Sequence, residues 1–203
     1  MDASLPRDAA PAFFDPNTDP STNRAHPTFS ILSARFAAGL ERACGAPAAQ
    51  FGARIRAVLD EADALAACLP ADILAGKAQG YSRHMLACDP AGRFAAAAIV
   101  WRPGQCTPVH GHQTWCGFRI VKGVLSEERF TWDAQEERAS RVEQRQCETG
   151  ESSFVPAGFG GIHRIANHSA LNAVSFHVYG VHADDIATRV NRLVETAEPL
   201  DLV

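Results

Sequence analysis

The stretch PGQCTPVHGHQTWCGFRIVKG, from Pro103 to Gly123, contains two of the chain's eight histidines, His110 and His112, separated by a single residue. Successive side chains of a β-strand point to opposite faces, so both imidazoles would lie on one face of a strand, close enough together to bind one metal ion. The alternative is a chance pair of histidines on a solvated face. The spacing of other residues separates these two interpretations.

The region around this stretch predicts a β-rich fold. From Tyr81 to Tyr179 the sequence consists of short runs of β-branched and aromatic residues, such as RFAAAAIVW (93–101) and NAVSFHVYG (172–180), separated by glycine and proline. Many short strands without intervening helices are typical of an antiparallel sandwich or barrel.

Helical periodicity flanks the β-rich region on both sides. Before it, apolar residues recur at helical spacing from about Phe29 to Cys44 and in FGARIRAVLDEADALAACLP (51–70), and a short third segment, ADILAGKA (71–78), follows. After it, HADDIATRVNRLVETA (182–197) predicts a closing helix. We therefore expect an irregular arm over residues 1–27 and a single domain over residues 28–203, divided into a helical part (28–79), a barrel (80–181) and a C-terminal helix with a tail (182–203).

The composition favours a globular protein that acts on small molecules. The chain has 203 residues, of which 46% are hydrophobic and 21% charged, enough for one well-packed domain. A net charge of −4 without a basic cluster argues against nucleic acid, and no apolar run approaches the roughly 20 residues that span a membrane. The acidic, proline-rich start is unlike a signal peptide, and the six cysteines form no C-x-x-C pair. We expect a cytoplasmic protein with reduced thiols, a monomer or weak homo-oligomer.

The glycines around the histidine pair fall at an informative spacing. Gly104 stands six residues before His110, Gly123 stands eleven after His112, and a third histidine, His163, lies in GESSFVPAGFGGIHRIAN. This arrangement resembles the two-motif signature of the cupin superfamily. The second motif is matched, with a gap two residues longer before the histidine, by Gly150, Pro156, Gly158, His163 and Asn167. The resemblance implies a mainly β fold, a double-stranded β-helix or jelly-roll-like antiparallel barrel, here preceded by two or three helices.

Cys116 stands where most cupins carry a glutamate ligand. The resemblance therefore implies a metal site made of three neutral imidazoles, those of His110, His112 and His163. Such a site keeps open coordination positions and its full positive charge, which attracts an anionic ligand such as a thiolate. Zinc is also bound by three histidines in hydrolytic sites, so the ligand set by itself leaves the metal undecided.

Four segments resemble one cupin family, the thiol dioxygenases, and in particular cysteine dioxygenase type I in its bacterial form with an arginine at the carboxylate-binding position. They are GYSRHML (80–86), PVHGHQTWCG (108–117), IHRIAN (162–167) and VSFHVYG (174–180). The resemblance implies Fe(2+) bound by the three histidines and Arg83 pairing with the substrate carboxylate, with Tyr81 beside it. It also implies that Cys116 could form a thioether crosslink to Tyr179, as in animal members, although bacterial relatives usually have glycine opposite the tyrosine.

The fourth segment also carries a pattern of its own. Ser175, His177 and Tyr179 alternate along a predicted strand, so all three would face one side and could form a hydrogen-bonded row. A satisfied core histidine beside a packed tyrosine is the alternative. The resemblance implies that the Tyr179 hydroxyl is catalytic and is oriented by His177 and Ser175.

The activity implied by the resemblance is oxidation of a small thiol carboxylate to its sulfinic acid by O2. Arg83 favours L-cysteine, because many bacterial members that act on 3-mercaptopropionate have glutamine there. Mercaptosuccinate would need a second arginine, for which the candidates are Arg102, Arg119, Arg164 and Arg189. Two other classes would use the same fold: a non-catalytic metal- or ligand-sensing cupin, and a zinc or manganese isomerase. The N-terminal helices show no basic recognition face of the kind that DNA-binding sensors carry.

Overall fold

Four helices precede the barrel in the computed structural model, which describes residues 27–198. They are α1 (Pro27–Cys44), α2 (Ala48–Asp60), α3 (Asp63–Ala67) and α4 (Ala71–Ala75). The second predicted helix is therefore two helices, because the chain turns at Glu61 and Ala62. The arm predicted over residues 1–27 lies outside the described residues except for Pro27, which begins α1. Among residues 27–198, no helix has both the length and the apolar character needed to cross a membrane.

Ten strands follow the helices within the described part of the chain. They are β1 (Ser82–Cys88), β2 (Ala95–Trp101), β3 (His110–His112), β4 (Cys116–Lys122), β5 (Val124–Asp133), β6 (Arg138–Glu148), β7 (Ser152–Val155), β8 (Gly158–Ala166), β9 (Ala173–Tyr179) and β10 (Asn191–Leu193). They form two five-stranded antiparallel sheets, in the orders β1-β2-β9-β4-β7 and β10-β3-β8-β5-β6. The mainly β, antiparallel fold predicted from the sequence is confirmed.

The strands β2 and β9 at the centre of the first sheet are buried on both faces, which explains the continuous apolar run of β2. One face of β2 and β9 packs against the helices through residues such as Val100 and Phe176. The other face points into the barrel, where Ile99 and Trp101 lie. Polar residues on this inner face of β9 are therefore enclosed by both sheets, and the functional site lies there.

The predicted C-terminal helix is wrong. Residues 183–185 form one turn of 3-10 helix, and the chain then extends into β10, which pairs with β3. The spacing that suggested a helix comes from Ile186 and Val190, which are both buried beside Cys116 and Tyr179. Pairing with the open edge of β3 satisfies the backbone of the segment and outweighs its local helical preference.

Gly117 allows α2 to approach β4 closely. A β-carbon at this position would lie 2.7 Å from Ile55 Cγ2 and 3.1 Å from Leu59 Cδ1, both on buried side chains of α2. Beside this contact, Arg119 donates to the carboxylates of Asp60 and Asp63 at 2.9 and 2.8 Å. The helices are thus anchored to the strand that carries Cys116.

We expect Gly117→Ala to lower the free energy of unfolding by about 1–3 kcal/mol, because the new methyl group overpacks the contact with α2. The matched control is Gly160→Ala on β8, where an added β-carbon would meet no atom within 4 Å. Urea unfolding measures both variants. Equal stability of the two variants would contradict the close packing of α2 on Gly117.

Candidate metal centre

Three histidines meet inside the barrel. His110 and His112 lie on β3, and His163 lies on β8, which pairs with β3 so that His110 and His163 are directly opposed. The ring centres are 4.8 to 5.4 Å apart, and the candidate ligand atoms lie within 4.8 Å of one another. The structure therefore brings together the three residues that the sequence predicts as metal ligands.

Hydrogen bonds orient two of the three rings. The Nδ1–H group of His110 donates to the carbonyl oxygen of Pro108 over 3.0 Å, because a carbonyl can only accept. His163 Nδ1 lies 2.9 Å from Oε1 of Glu127, and an ionised carboxylate likewise can only accept. Both rings therefore carry a proton on Nδ1, which leaves Nε2 as the nitrogen that can bind a metal ion.

His112 provides the observation that tests whether a metal ion fits. Its Nδ1 atom is buried and has no hydrogen-bond partner among the described residues, a costly arrangement that a bound water or ion relieves. Burial, with a smaller contribution from His163, lowers the pKa of His112 to about 3 and holds the pKa of His110 well below its usual range. Neutral imidazoles are the form that ligates divalent transition metals, so the residues fit such an ion.

Cys116 lies outside the cluster of histidines. It begins β4, directly opposite Tyr179 on β9, and its side chain is buried. Burial raises the pKa of its thiol, and the opposing effect of the Arg83 guanidinium is smaller, so the thiol stays protonated. A protonated thiol is a poor metal ligand. The cluster therefore consists of three imidazoles without an anionic ligand.

Ser175, His177 and Tyr179 form a hydrogen-bonded row on the inner face of β9. Trp101 Nε1–H donates to Ser175 Oγ over 2.9 Å, and Ser175 Oγ lies 2.9 Å from His177 Nε2. His177 Nε2 is the acceptor that the described residues offer to the serine proton, so His177 carries its own proton on Nδ1. It donates that proton to the Tyr179 oxygen, 3.1 Å away. The Tyr179 hydroxyl proton is left free for a partner in the cavity.

Burial keeps this row uncharged. It lowers the pKa of His177, an effect that Arg83 adds to, and it raises the pKa of Tyr179 well above its usual range, with Cys116 adding to the rise. Phe118 stacks on His177, with ring centres 5.6 Å apart, and excludes water from one face of the imidazole. Near neutral pH, Tyr179 is therefore a hydrogen-bond donor.

Arg83 faces the same space from β1. It is aligned with Ile99 of β2 and so lies on the inner face of the sheet. Its hydrogen bonds to the Tyr81 hydroxyl and to the carbonyl oxygen of Ile186 are long, at 3.4 Å each, and it also interacts with the Tyr179 hydroxyl. Its Nε atom is buried without a hydrogen-bond partner among the described residues, and no carboxylate pairs with it there. A guanidinium in this state is a receptor for an anion.

The cavity between these groups is small: the volume open to the centres of water-sized molecules is about 20 Å³, which favours a compact ligand. All the candidate site residues except Ser175 line this cavity. Ser175 contacts the row through its hydrogen bond to His177. Two residues near the site escaped the sequence analysis. Asn191 lines the cavity from β10, within the segment predicted to be helical. Glu127 contacts His163, and its alternation with the apolar Leu125 on β5 is the sequence signal that could have placed it on the inner face.

We expect His163→Ala to abolish stoichiometric metal binding, because two imidazoles hold a divalent ion far less tightly than three. The control is His168→Ala, which changes an exposed histidine outside the cluster. Elemental analysis of the purified proteins measures the metal, and circular dichroism checks that both variants fold. Full metal content in the His163 variant would show that the ligand set is different.

Comparison with solved structures returns proteins of low sequence identity. A sugar phosphate isomerase from the cupin superfamily of Silicibacter pomeroyi is 19% identical, with a TM-score of 0.35, over 43% of this chain and 50% of the other. The TT1209 protein of Thermus thermophilus is 20% identical, with a TM-score of 0.41, over 52% of this chain and 87% of the other. A mutant oxalate decarboxylase of Bacillus subtilis is 19% identical, with a TM-score of 0.41, over 52% and 27%. The chain thus spans half the length of the first of these proteins.

A family comparison covers the site itself. The family described as cysteine dioxygenase type I matches residues 75–189, which is more than half of the chain. The matched region begins before Tyr81 and ends after Tyr179, so it contains the three histidines, Arg83 and the row on β9. This chain belongs to the cysteine dioxygenase type I family.

Proposed function

We propose that this protein is a non-haem Fe(II) dioxygenase that oxidises L-cysteine to its sulfinic acid with O2. One observation carries the proposal: an arginine without an anionic partner and a tyrosine with a free hydroxyl proton line the same cavity as three clustered histidines. Ferrous iron bound by these histidines would supply open coordination positions for a thiolate and the redox chemistry that activates dioxygen. All the electrons that dioxygen accepts come from the thiol sulfur, so no external reductant is needed.

Arg83 would bind the substrate carboxylate. Its buried Nε atom lacks a partner, and its contacts to Tyr81 and Ile186 are weak enough to be exchanged for a carboxylate. Arginine presents a planar fork of donors that a carboxylate can match with two charge-assisted bonds. A substrate held in this way keeps its sulfur at a fixed distance from the histidines.

The other arginines support a substrate with a single carboxylate. Arg119 pairs with Asp60 and Asp63, Arg164 pairs with Glu128, Arg189 pairs with Asp185, and Arg102 is exposed. None of the four lines the cavity, where Arg83 is the one arginine or lysine among the described residues. This favours cysteine or 3-mercaptopropionate over mercaptosuccinate. Arginine rather than glutamine at position 83 favours cysteine of these two.

Tyr179 would donate a hydrogen bond to the reacting oxygen or to the substrate carboxylate. Its own oxygen already accepts from His177, which Ser175 and Trp101 hold in one tautomer. A donor fixed before the substrate arrives costs no reorganisation during the reaction. The row thus holds the Tyr179 hydroxyl as a hydrogen-bond donor at one fixed position in the cavity.

We also propose the thioether crosslink between Cys116 and Tyr179. The two residues are directly opposed on neighbouring strands, and their side chains share one buried cluster. Forming the bond removes two hydrogen atoms, for which dioxygen is the oxidant. The crosslink would hold the phenol in the position that the row on β9 already favours.

A cytoplasmic location is part of the proposal. The six cysteines are all free thiols, the state expected in a reducing compartment. The partners we propose are a small thiol and O2.

The decisive experiment compares oxygen uptake by the iron-loaded protein with four thiols. We expect uptake with L-cysteine and formation of its sulfinic acid, weaker uptake with 3-mercaptopropionate, and little with mercaptosuccinate or with cysteamine, which has no carboxylate for Arg83. An oxygen electrode measures the oxygen uptake, and mass spectrometry identifies the sulfinic acid product. A protein that purifies with zinc, and consumes no oxygen with any thiol after iron loading, would overturn the proposal in favour of an isomerase or a sensor.

Replacing Arg83 with Ala should raise the KM for cysteine about 10- to 100-fold, because the charge-assisted bonds to the carboxylate are worth about 1.5–3 kcal/mol. The iron content should stay the same, since Arg83 is not a ligand. Arg189→Ala, which removes an exposed arginine, is the control and should leave KM unchanged. Loss of iron from the Arg83 variant would instead assign Arg83 a structural role.

A further inference from the structure

Glu127 is a buried carboxylate in direct contact with one of the three histidines, and it lies outside the four segments that resemble known dioxygenases. It lies on β5, and His163 lies on the neighbouring β8, where the register places Ile165 opposite Glu127 and His163 one diagonal step away on the same face. Oε1 of Glu127 is 2.9 Å from His163 Nδ1, and both side chains are almost completely buried.

Other bonds fix the orientation of this carboxylate. Arg145 Nε donates to Oε2 of Glu127 over 2.8 Å, and a second nitrogen of Arg145 donates to Glu151 over 2.8 Å. Glu151 in turn accepts the backbone N–H of Glu148, across the turn between β6 and β7. Because Oε2 is held by Arg145, Oε1 keeps facing the imidazole. The carboxylate is therefore a fixed acceptor.

The carboxylate of Glu127 adds a negative charge next to the metal centre. The guanidinium of Arg145 donates to Oε2 of Glu127 over 2.8 Å, and this charge-assisted bond favours the ionised carboxylate. The ligand set has no anion of its own, because Cys116 occupies the position at which most cupins place a glutamate. Glu127 brings a negative charge to the centre through the outer nitrogen of a ligand.

We propose that Glu127 is a positioning residue of the metal centre. By accepting the Nδ1–H of His163, it fixes the tautomer and the ring orientation of that ligand and strengthens Nε2 as a donor to the metal. The three ligands carry no negative charge themselves, and the carboxylate of Glu127 supplies one through its hydrogen bond to His163. The inference rests on metal binding by the three histidines, which the proposed function also requires, and it does not depend on which thiol is the substrate.

Glu128 offers a matched control on the same strand. It is also a buried glutamate, and it pairs with Arg164 and Arg141 at 3.2 and 2.8 Å. As the next residue along β5, it points to the opposite face of the sheet, away from the histidines. Glu128→Gln therefore removes the same buried charge from the same strand without touching a ligand.

The test substitutes Glu127 with Gln and measures zinc affinity in competition with a chromophoric chelator. A glutamine has one oxygen, and Arg145 competes for it, so its NH2 group turns toward His163 Nδ1 and selects the tautomer with the proton on Nε2. We expect Glu127→Gln to bind zinc about 10- to 100-fold more weakly than the wild type. Glu128→Gln should bind zinc as the wild type does.

A spectrum of the metal-free protein gives a second readout that a merely structural role would not change. In protein labelled with 15N-histidine, we expect a protected, strongly deshielded Nδ1–H signal from His163, which disappears in Glu127→Gln and persists in Glu128→Gln. Absence of this signal from the wild type, or equal zinc affinity of the two Gln variants, would overturn the proposal. If Glu127→Gln does not fold, Glu127→Asp replaces it, with Glu128→Asp as its control. The shorter side chain cannot reach His163 and Arg145 together, so weaker zinc binding by Glu127→Asp alone supports the proposal, and equal binding overturns it.

These measurements use neither thiol nor dioxygen, so they separate the two proposals. A protein that shows the histidine signal and the loss of zinc affinity but consumes no oxygen would keep the role of Glu127 and lose the proposed activity. A protein that oxidises cysteine but binds zinc equally well in both Gln variants would do the reverse.

Discussion

The centre depends on the antiparallel pairing of β3 with β8. This pairing places His110 opposite His163, and His112 follows on the same face because side chains alternate along a strand. The strands approach so closely beside the pair that a β-carbon on Gly111 would lie 2.8 Å from the carbonyl oxygen of Gly158. Gly158 itself has a φ of 111°, a conformation that only glycine adopts without strain. The glycine between the two histidines is thus a condition for the geometry of all three.

Burial then favours the uncharged state of most of the titratable groups that line the cavity, those of His110, His112, His177 and Tyr179. The helices cover one face of the first sheet and the second sheet covers the other, so polar side chains on the inner face of β9 have no access to bulk water except through the cavity. Burial favours the uncharged forms of these side chains, so a neutral imidazole can bind a metal ion and the Tyr179 hydroxyl can donate a hydrogen bond. Arg83 is the exception, because arginine keeps its charge even when it is partly buried. A lone cation beside neutral groups is the electrostatic pattern that selects an anionic substrate.

Local sequence patterns predicted the structure correctly where the spacing of residues arose from the secondary structure itself. The alternation of Ser175, His177 and Tyr179 predicted a shared face, and the structure connects the three side chains by hydrogen bonds. The pattern failed for residues 182–197, where the spacing of Ile186 and Val190 reflects two inward contacts made by successive turns. Asn191 was missed for the same reason, since a residue assigned to a closing helix is not expected to line a cavity.

The sequence by itself predicted the fold class, the histidine pair and the row on β9 through strand alternation, and its resemblance to a known family added His163 and Arg83. Only the tertiary structure decided which groups meet. The contact of Glu127 with His163 joins residues 36 positions apart on paired strands, and the isolation of Arg83 emerges only once the acidic partners of the other arginines are located. Both depend on strand register and on burial, which bring together residues from distant parts of the chain and which no local periodicity encodes.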